Sequence, residues 1–137
     1  MKNYLTLIAT VLATTFSATF TYAQTAKAAS SCKMYLDNKM IAEPTLEEGL
    51  RWCELTPPTV QCDDGKVYLL QSFQISYLTL KPFLSKDFGI GEGGIPIMAK
   101  QAVKNGKPGD TLILKEVMYT DSTGTKNSLP VISLKFK

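Results

Sequence analysis

The sequence predicts a mainly β protein, a β-sandwich with one or two short helices, and leaves an α+β fold as the alternative. Two stretches carry this prediction. Residues 66–80 are rich in valine, leucine, isoleucine and aromatic side chains, which is typical of strands. Residues 94–137 follow an order of helix, turn, strand, turn and closing strand. A length of 137 residues is enough for one such domain.

The first 23 residues predict a secretory signal peptide. Lys2 supplies the charged start, residues 4–20 are apolar with small residues and threonine, and small side chains precede a cleavage site after Ala23. A membrane anchor is the alternative, but it needs roughly 20 apolar residues and this run is shorter. Cleavage near Ala28–Ala29 and lipoprotein processing at Cys32 are lesser alternatives. We therefore expect a periplasmic or secreted chain with no stable membrane span after processing.

After processing, we expect a flexible arm at residues 24–31 and a single β-rich domain at residues 32–137. Within the domain, residues 32–65 form an N-terminal extension with a short helix, and residues 66–137 form the core. The extension starts with a weak hairpin signal, in which Asp37–Asn38 would be the turn.

The composition excludes several kinds of catalytic and binding site. No histidine occurs in the chain, which excludes a Ser-His-Asp triad, a His-Cys site and a His-zinc site. The net charge is only +3 and the lysines are scattered, so the sequence lacks the footprint of a nucleic-acid-binding protein. We predict no cofactor, no metal and no nucleic-acid partner.

Three cysteines, Cys32, Cys53 and Cys62, allow three single disulfides, and an oxidising compartment makes one of them expected. Cys53 and Cys62 bracket a loop with two prolines, so a bridge between them would pin a helix to the following strand. Pairing of Cys32 with either of the others would instead hold the N-terminal arm. We favour Cys53–Cys62, with Cys32 free or an alternative partner. A catalytic cysteine is disfavoured, because no histidine is present to stabilise its thiolate.

A helix of about two turns is predicted after Pro44. Thr45 and Glu48 have the spacing of a capping box, in which each satisfies a backbone N–H of the other. Leu46, Leu50 and Cys53 then fall on one face. Carboxylates in a first turn are better explained by the helix dipole than by catalysis.

One long strand is predicted over residues 66–80, after a turn at residues 63–65. Its buried face is formed by three alternating residues, Phe73, Ile75 and Tyr77. The apolar positions then shift by one residue. This shift predicts a bulge or corner near Tyr77–Leu78, where the chain would pass between two sheets.

Residues 89–94 match the pattern G-x-G-x-x-G, and a helix follows. The dinucleotide-binding fingerprint also needs a buried strand that leads directly into the first glycine. Pro82, Ser85 and Lys86 precede the pattern and predict no such strand. We predict a surface loop over residues 83–94, which makes it a candidate contact loop.

The C-terminal stretch predicts a helix over residues 95–104, a strand over residues 111–119, a turn at residues 121–124 and a closing strand over residues 129–136. The helix would bury Met98, Ala102 and Val103, and Gly106 would cap it. The closing strand would cover the core with Ile132, Leu134 and Phe136.

These turns and strands resemble a known family. The Gly106-Lys107-Pro108-Gly109-Asp110 turn, the apolar strand after it, the turn at residues 121–124 and the closing strand follow the pattern of the C-terminal domain of the gliding-motility protein GldM and its relatives. The resemblance covers about Val67 to Lys137. It implies an immunoglobulin-like β domain facing the periplasm of a Bacteroidetes-type cell, near gliding or type IX secretion machinery.

No catalytic constellation stands out, so we expect a non-enzymatic binding module with a protein partner in the cell envelope. The alternatives are a structural or inhibitor-like envelope protein and a small secreted hydrolase with paired carboxylates. Such a hydrolase would have to use the loop acids Asp63, Asp64, Asp87, Glu92 and Asp110. The candidate interaction surface consists of Tyr68, Phe83, Phe88, Ile90 and Glu92.

Overall fold

A computed structural model describes residues 29–137, so the predicted signal peptide and most of the predicted arm lie outside the described residues. Within this range a four-stranded and a five-stranded antiparallel sheet, with two short helices, enclose one buried core. The prediction of a mainly β, sandwich-like fold with short helices is confirmed.

The first sheet has the order β2-β1-β3-β4. Its strands are β1 (Cys32–Leu36), β2 (Lys39–Ile41), β3 (Thr59–Cys62) and β4 (Val67–Leu69). Asp37 and Asn38 join β1 to β2 with φ angles of 52° and 61°. Aspartate and asparagine tolerate this left-handed conformation, which a tight hairpin turn requires. The predicted hairpin is confirmed.

Helix α1 (Leu46–Cys53) connects β2 to β3 and begins at the predicted capping box. The backbone N–H of Glu48 donates to Thr45 Oγ1 at 3.1 Å, and the Thr45 N–H donates to the Glu48 carboxylate at 2.8 Å. Trp52 is fully buried, and its indole N–H donates to the carbonyl of Thr59 at 2.6 Å. This bond fixes the helix against β3 and leaves no buried indole donor unpaired.

The second sheet has the order β6-β5-β7-β8, and β9 also pairs with β7. Its strands are β5 (Ser72–Leu80), β6 (Phe83–Glu92), β7 (Thr111–Thr120), β8 (Lys126–Leu129) and β9 (Ile132–Lys135). The predicted closing strand is therefore two strands, separated at Pro130–Val131. Ile132, Leu134 and Phe136 are buried, as predicted.

The single long strand predicted over residues 66–80 is wrong, because the chain changes sheets at Leu70–Gln71, between β4 and β5. The corner predicted near Tyr77–Leu78 is absent, and β5 continues through these residues. The irregularity lies between Ile75 and Ser76, opposite the extra residue Phe88 of β6. The predicted burial of Phe73, Ile75 and Tyr77 is confirmed.

The surface loop predicted over residues 83–94 is also wrong, because Phe83–Glu92 is strand β6, paired antiparallel with β5. Its glycines have specific places in this strand. Gly89 follows the bulge and has a φ of 80°, while Gly91 passes over Phe73 so closely that a Cβ would collide with the ring. The G-x-G-x-x-G pattern thus belongs to an antiparallel strand and its exit, and not to a strand-to-helix phosphate loop.

Helix α2 (Ile97–Lys104) buries Ala99 and Val103. The predicted stripe is wrong at Met98, which is 55% exposed, and Ala102 is only partly buried. The two helices pack against each other and join the sheets into one core. Phe136 also links the layers, because its ring lies against both Gly49 of α1 and Tyr77 of β5.

The disulfide joins Cys32 to Cys62, so the favoured Cys53–Cys62 bridge is wrong. Cys32 and Cys62 face each other directly across β1 and β3. Cys53, at the end of α1, is buried in the core with a free thiol. The disulfide fits an oxidising compartment outside the cytoplasm, and it leaves no thiol at Cys32 for a lipid.

The described end of the predicted flexible arm is held by the β3–β4 turn. The Ser30 N–H donates to Asp63 Oδ1 at 2.9 Å, and the Asp63 N–H donates to the carbonyl of Ser31 at 2.9 Å. Residues 29–31 are therefore fixed to the domain. Among residues 29–137, no helix has the length and apolar character needed to cross a membrane.

Candidate interaction surface

Strand β6 lies at one edge of the second sheet. One of its edges pairs with β5, and in the described part of the chain no strand pairs with the other. The strand is ten residues long, whereas the other outer strands, β2, β4, β8 and β9, have only three, three, four and four residues. Proteins usually keep unpaired edges short or charged, because a long apolar edge invites another strand.

Large apolar side chains of this strand are exposed, on both of its faces. The exposed fractions are 75% for Phe83, 58% for Leu84 and 65% for Ile90. Exposed apolar side chains on a long unpaired strand favour pairing with a further strand.

A groove of about 280 Å³ separates β6 from helix α2. Leu84, Lys86 and Phe88 line it on the strand side, and Met98 and Ala102 line it on the helix side. The Lys86 ammonium lies 5.4 Å from the centre of the Phe88 ring, within the range of a cation–π interaction. The groove therefore has an apolar strip along β6 and α2 with one exposed cation on the strand side, and Thr79, Gln101 and Asn105 add polar side chains to its lining.

Tyr77 and Asp110 form the floor of this groove at its end near Gly106. The Tyr77 hydroxyl donates to Asp110 Oδ2 at 3.1 Å, and the Lys107 N–H donates to the same oxygen at 2.9 Å. Burial, followed by the nearby Asp110 charge, raises the pKa of Tyr77 well above its ordinary value. The Tyr77 phenol therefore stays protonated at physiological pH and holds its hydrogen bond to Asp110.

Four of the five predicted surface residues lie on β6, but they do not share one face. Phe88 lines the groove, whereas Ile90 lies on the opposite face beside Gln74 and Asp87. Phe83 faces Leu80 at the hairpin end, and Glu92 is exposed at the end of the strand. Leu84, Lys86 and Met98 are not among the predicted surface residues, because residues 83–94 predict a loop and the helix pattern predicts a buried Met98.

Tyr68 lies apart from the other four, in β4 of the first sheet. Its ring packs edge-on against Tyr119 with centroids 4.6 Å apart, and its hydroxyl donates to Asp64 Oδ2 at 2.5 Å. This hydrogen bond raises the pKa of Tyr68 to about 12 and lowers that of Asp64. Exposed Val67 and Leu69 line the same shallow cleft, which makes it a second surface.

Three of the five carboxylates considered for hydrolysis lie in different parts of the fold. Asp64 bonds to Tyr68 in the first sheet, Asp87 accepts from Ser76 Oγ at 2.5 Å on the outer face of the second, and Asp110 lies in the floor of the groove. Glycosidase-type chemistry needs two carboxyl groups facing one substrate position. The geometry of these three gives the hydrolase alternative no support. Within residues 29–137, no group of three or more acidic or cysteine side chains is arranged to hold a metal ion.

Cys53 offers no nucleophile. Burial raises the pKa of its thiol to about 12, although Lys100 acts in the opposite direction. The thiolate is the reactive form of cysteine, so this side chain is an apolar part of the core at neutral pH.

No protein-family model matches the chain, and a search of curated proteins finds no match. The resemblance to the GldM C-terminal domain therefore depends on the pattern of turns and strands alone.

Proposed function

We propose that this chain is a periplasmic or secreted, non-catalytic binding module, and that its protein partner adds a strand to the free edge of β6. The observation that carries the proposal is this ten-residue edge with Phe83 and Leu84 exposed on it. Strand addition supplies main-chain hydrogen bonds along such an edge, and side-chain pockets beside it supply specificity.

The surroundings of the edge support binding rather than chemistry. The groove beside β6 presents apolar side chains of β6 and α2 among polar ones, and its polar floor is internally hydrogen-bonded. The disulfide and the predicted signal peptide favour the cell envelope or the exterior. The GldM-like turn pattern favours a partner in a Bacteroidetes-type gliding or type IX secretion assembly.

A matched pair of lysine substitutions tests the edge. Leu84→Lys places a charge on the free edge, and we expect it to lower recovery of a specific partner from envelope extract by at least about fivefold, the effect of losing roughly 1 kcal/mol. Val131→Lys is the control, because Val131 is 59% exposed, close to Leu84 at 58%, but lies between β8 and β9. Quantitative mass spectrometry of the captured proteins provides the measurement.

Equal recovery with the two variants would contradict the assignment to β6. Leu69→Lys distinguishes the rival surface, since Leu69 is 56% exposed beside Tyr68. If Leu69→Lys alone abolishes capture, the partner binds at the Tyr68 cleft. Circular dichroism melting curves check that all three variants remain folded.

A further inference from the structure

The chemistry of the partner segment can be inferred from the groove beside β6, and this inference rests on the proposed function. We propose that the partner inserts an extended segment whose groove-facing residues are apolar, acidic and apolar at alternate positions. The acidic residue would lie beside Lys86, and the flanking apolar residues would lie beside Leu84 and Phe88.

The backbone of β6 sets where such a segment pairs. From Phe83 to Asp87 the strand pairs with β5 without interruption, and the bulge comes at Phe88. A partner strand would run about 4.8 Å beyond this regular part and complete the hydrogen bonds of its free edge. Because side chains alternate between faces, every second residue of the partner would face the groove.

The side chains of the groove decide what those residues should be. Leu84 and Phe88 present apolar surface, and Met98 of α2, 55% exposed, faces them across the groove. A partner side chain placed between strand and helix would exclude water from all three. Apolar residues are therefore favoured on both sides of the central position.

Charge selects the central residue. Of the two charged side chains that line the groove, Lys86 is exposed, while Asp110 is only 5% exposed and is already bonded to Tyr77 and the Lys107 N–H. Lys86 is thus the cation available to a ligand. A carboxylate directly across from a lysine is a favourable cross-strand pair, and a second lysine is unfavourable.

A second copy of this chain fits the groove less well. The groove face of β6 carries Leu84, Lys86 and Phe88 and no acidic residue. Its acidic neighbour Asp87 lies on the opposite face, where it accepts from Ser76. Self-pairing centred on Lys86 would place two lysines opposite each other, so we commit to a partner of different sequence.

Amide NMR of the disulfide-bonded protein, titrated with short peptides, tests the inference. The probe is a peptide with threonine at every second position and with valine, glutamate and valine, in that order, at the positions between. The control peptide has lysine in place of the glutamate. We expect shift changes in β6 and at Met98 with the glutamate peptide, and binding weaker by about fivefold or more with the lysine peptide. Lys86→Glu should reverse this preference.

Two neighbouring residues of α2 provide a matched structural control. Met98→Ala should weaken the glutamate peptide severalfold, whereas Ile97→Ala should not, because Ile97 is 71% exposed but lines a different cleft with Leu50 and Glu54. Both positions are exposed, so neither change should unfold the domain. The dispersion of the NMR spectrum verifies this for each variant.

Three results would overturn the inference: equal or absent binding of the two peptides, shifts centred on Val67–Leu69, or self-association that Leu84→Lys abolishes. If partner capture remains sensitive to Leu84→Lys while the peptides show no charge preference, the proposed function stands and only the segment chemistry is wrong. If capture is insensitive as well, both proposals fail.

Discussion

At the scale of single residues, Gly49 allows helix α1 to approach the end of the chain. It is buried in the helix, and a Cβ at this position would collide with the Phe136 ring. Gly49→Ala would gain up to about 1 kcal/mol in helix propensity. Overpacking against a buried ring costs about 1–3 kcal/mol. We therefore expect a net loss of stability, measured by denaturant unfolding.

Phe136→Leu tests whether the Phe136 ring causes the loss in Gly49→Ala, because it shortens the side chain that the new methyl group would meet. The double variant should lose less stability than the sum of the two single variants. Strict additivity would show that the contact does not limit the substitution.

Another residue-scale prediction concerns Tyr68, whose pKa of about 12 is due mainly to its hydrogen bond to Asp64. Asp64→Asn should return this pKa toward the ordinary value of 10.0. The raised pKa stabilises the fold below pH 10 and loses that contribution as the pH rises through about 12. Phenolate absorbance followed over this range measures the shift. The same substitution made in a Tyr68→Phe background should leave the titration of the other tyrosines unchanged.

Among the helices, strands and turns, those specified by residues close together in the sequence are predicted correctly. The Thr45–Glu48 capping box and the Asp37–Asn38 turn are made by residues a few positions apart, so the sequence alone predicts them. Strand β6 was missed because its glycines and Pro82 indicate a loop. Its strand conformation depends on pairing with β5. The glycine at position 91 reflects only the close approach of the backbone to the Phe73 ring.

The same limit applies to the candidate site. Apolar Phe83, Phe88 and Ile90 marked the segment as a contact region, but which face each occupies depends on the bulge at Phe88. The groove also needs α2, whose buried stripe is turned so that Met98 points away from the core. An alternation of apolar and charged residues through Leu84, Lys86 and Phe88 was present in the sequence and becomes meaningful only once the segment is known to be a strand.

The capping box of α1 should contribute measurably to the stability of the fold. Thr45→Ala removes the acceptor for the Glu48 N–H and should cost about 1 kcal/mol in the free energy of unfolding. Glu48→Gln retains an oxygen for the Thr45 N–H, so it should cost clearly less. Urea denaturation compares the two, and a larger loss for Glu48→Gln than for Thr45→Ala would mean that charge at the helix start, not the reciprocal hydrogen bonds, stabilises this end.

At the scale of the whole molecule, the two sheets depend on each other. The chain crosses from one to the other at Leu70–Gln71. Helix α1 packs against β1, α2 packs against β5, and the two helices pack against each other. The ring of Phe136 reaches Gly49 and Tyr77. The disulfide stays within the first sheet, where it ties β1 to β3. The two cysteines are 30 residues apart in the sequence, so the bridge closes a long loop and restricts the unfolded chain.

The separation of 30 residues sets how much the disulfide stabilises the fold. In the chain-entropy description, closing a loop of this length contributes about 3–4 kcal/mol to stability. We expect the Cys32→Ala/Cys62→Ala double variant to lose roughly this amount, and a reductant to destabilise the parent protein similarly. Guanidinium unfolding with and without reductant measures both effects. Cys53→Ala separates the two disulfide assignments: it should keep the full sensitivity to reductant, because Cys53 is a free core thiol, and loss of that sensitivity would instead place Cys53 in the bridge.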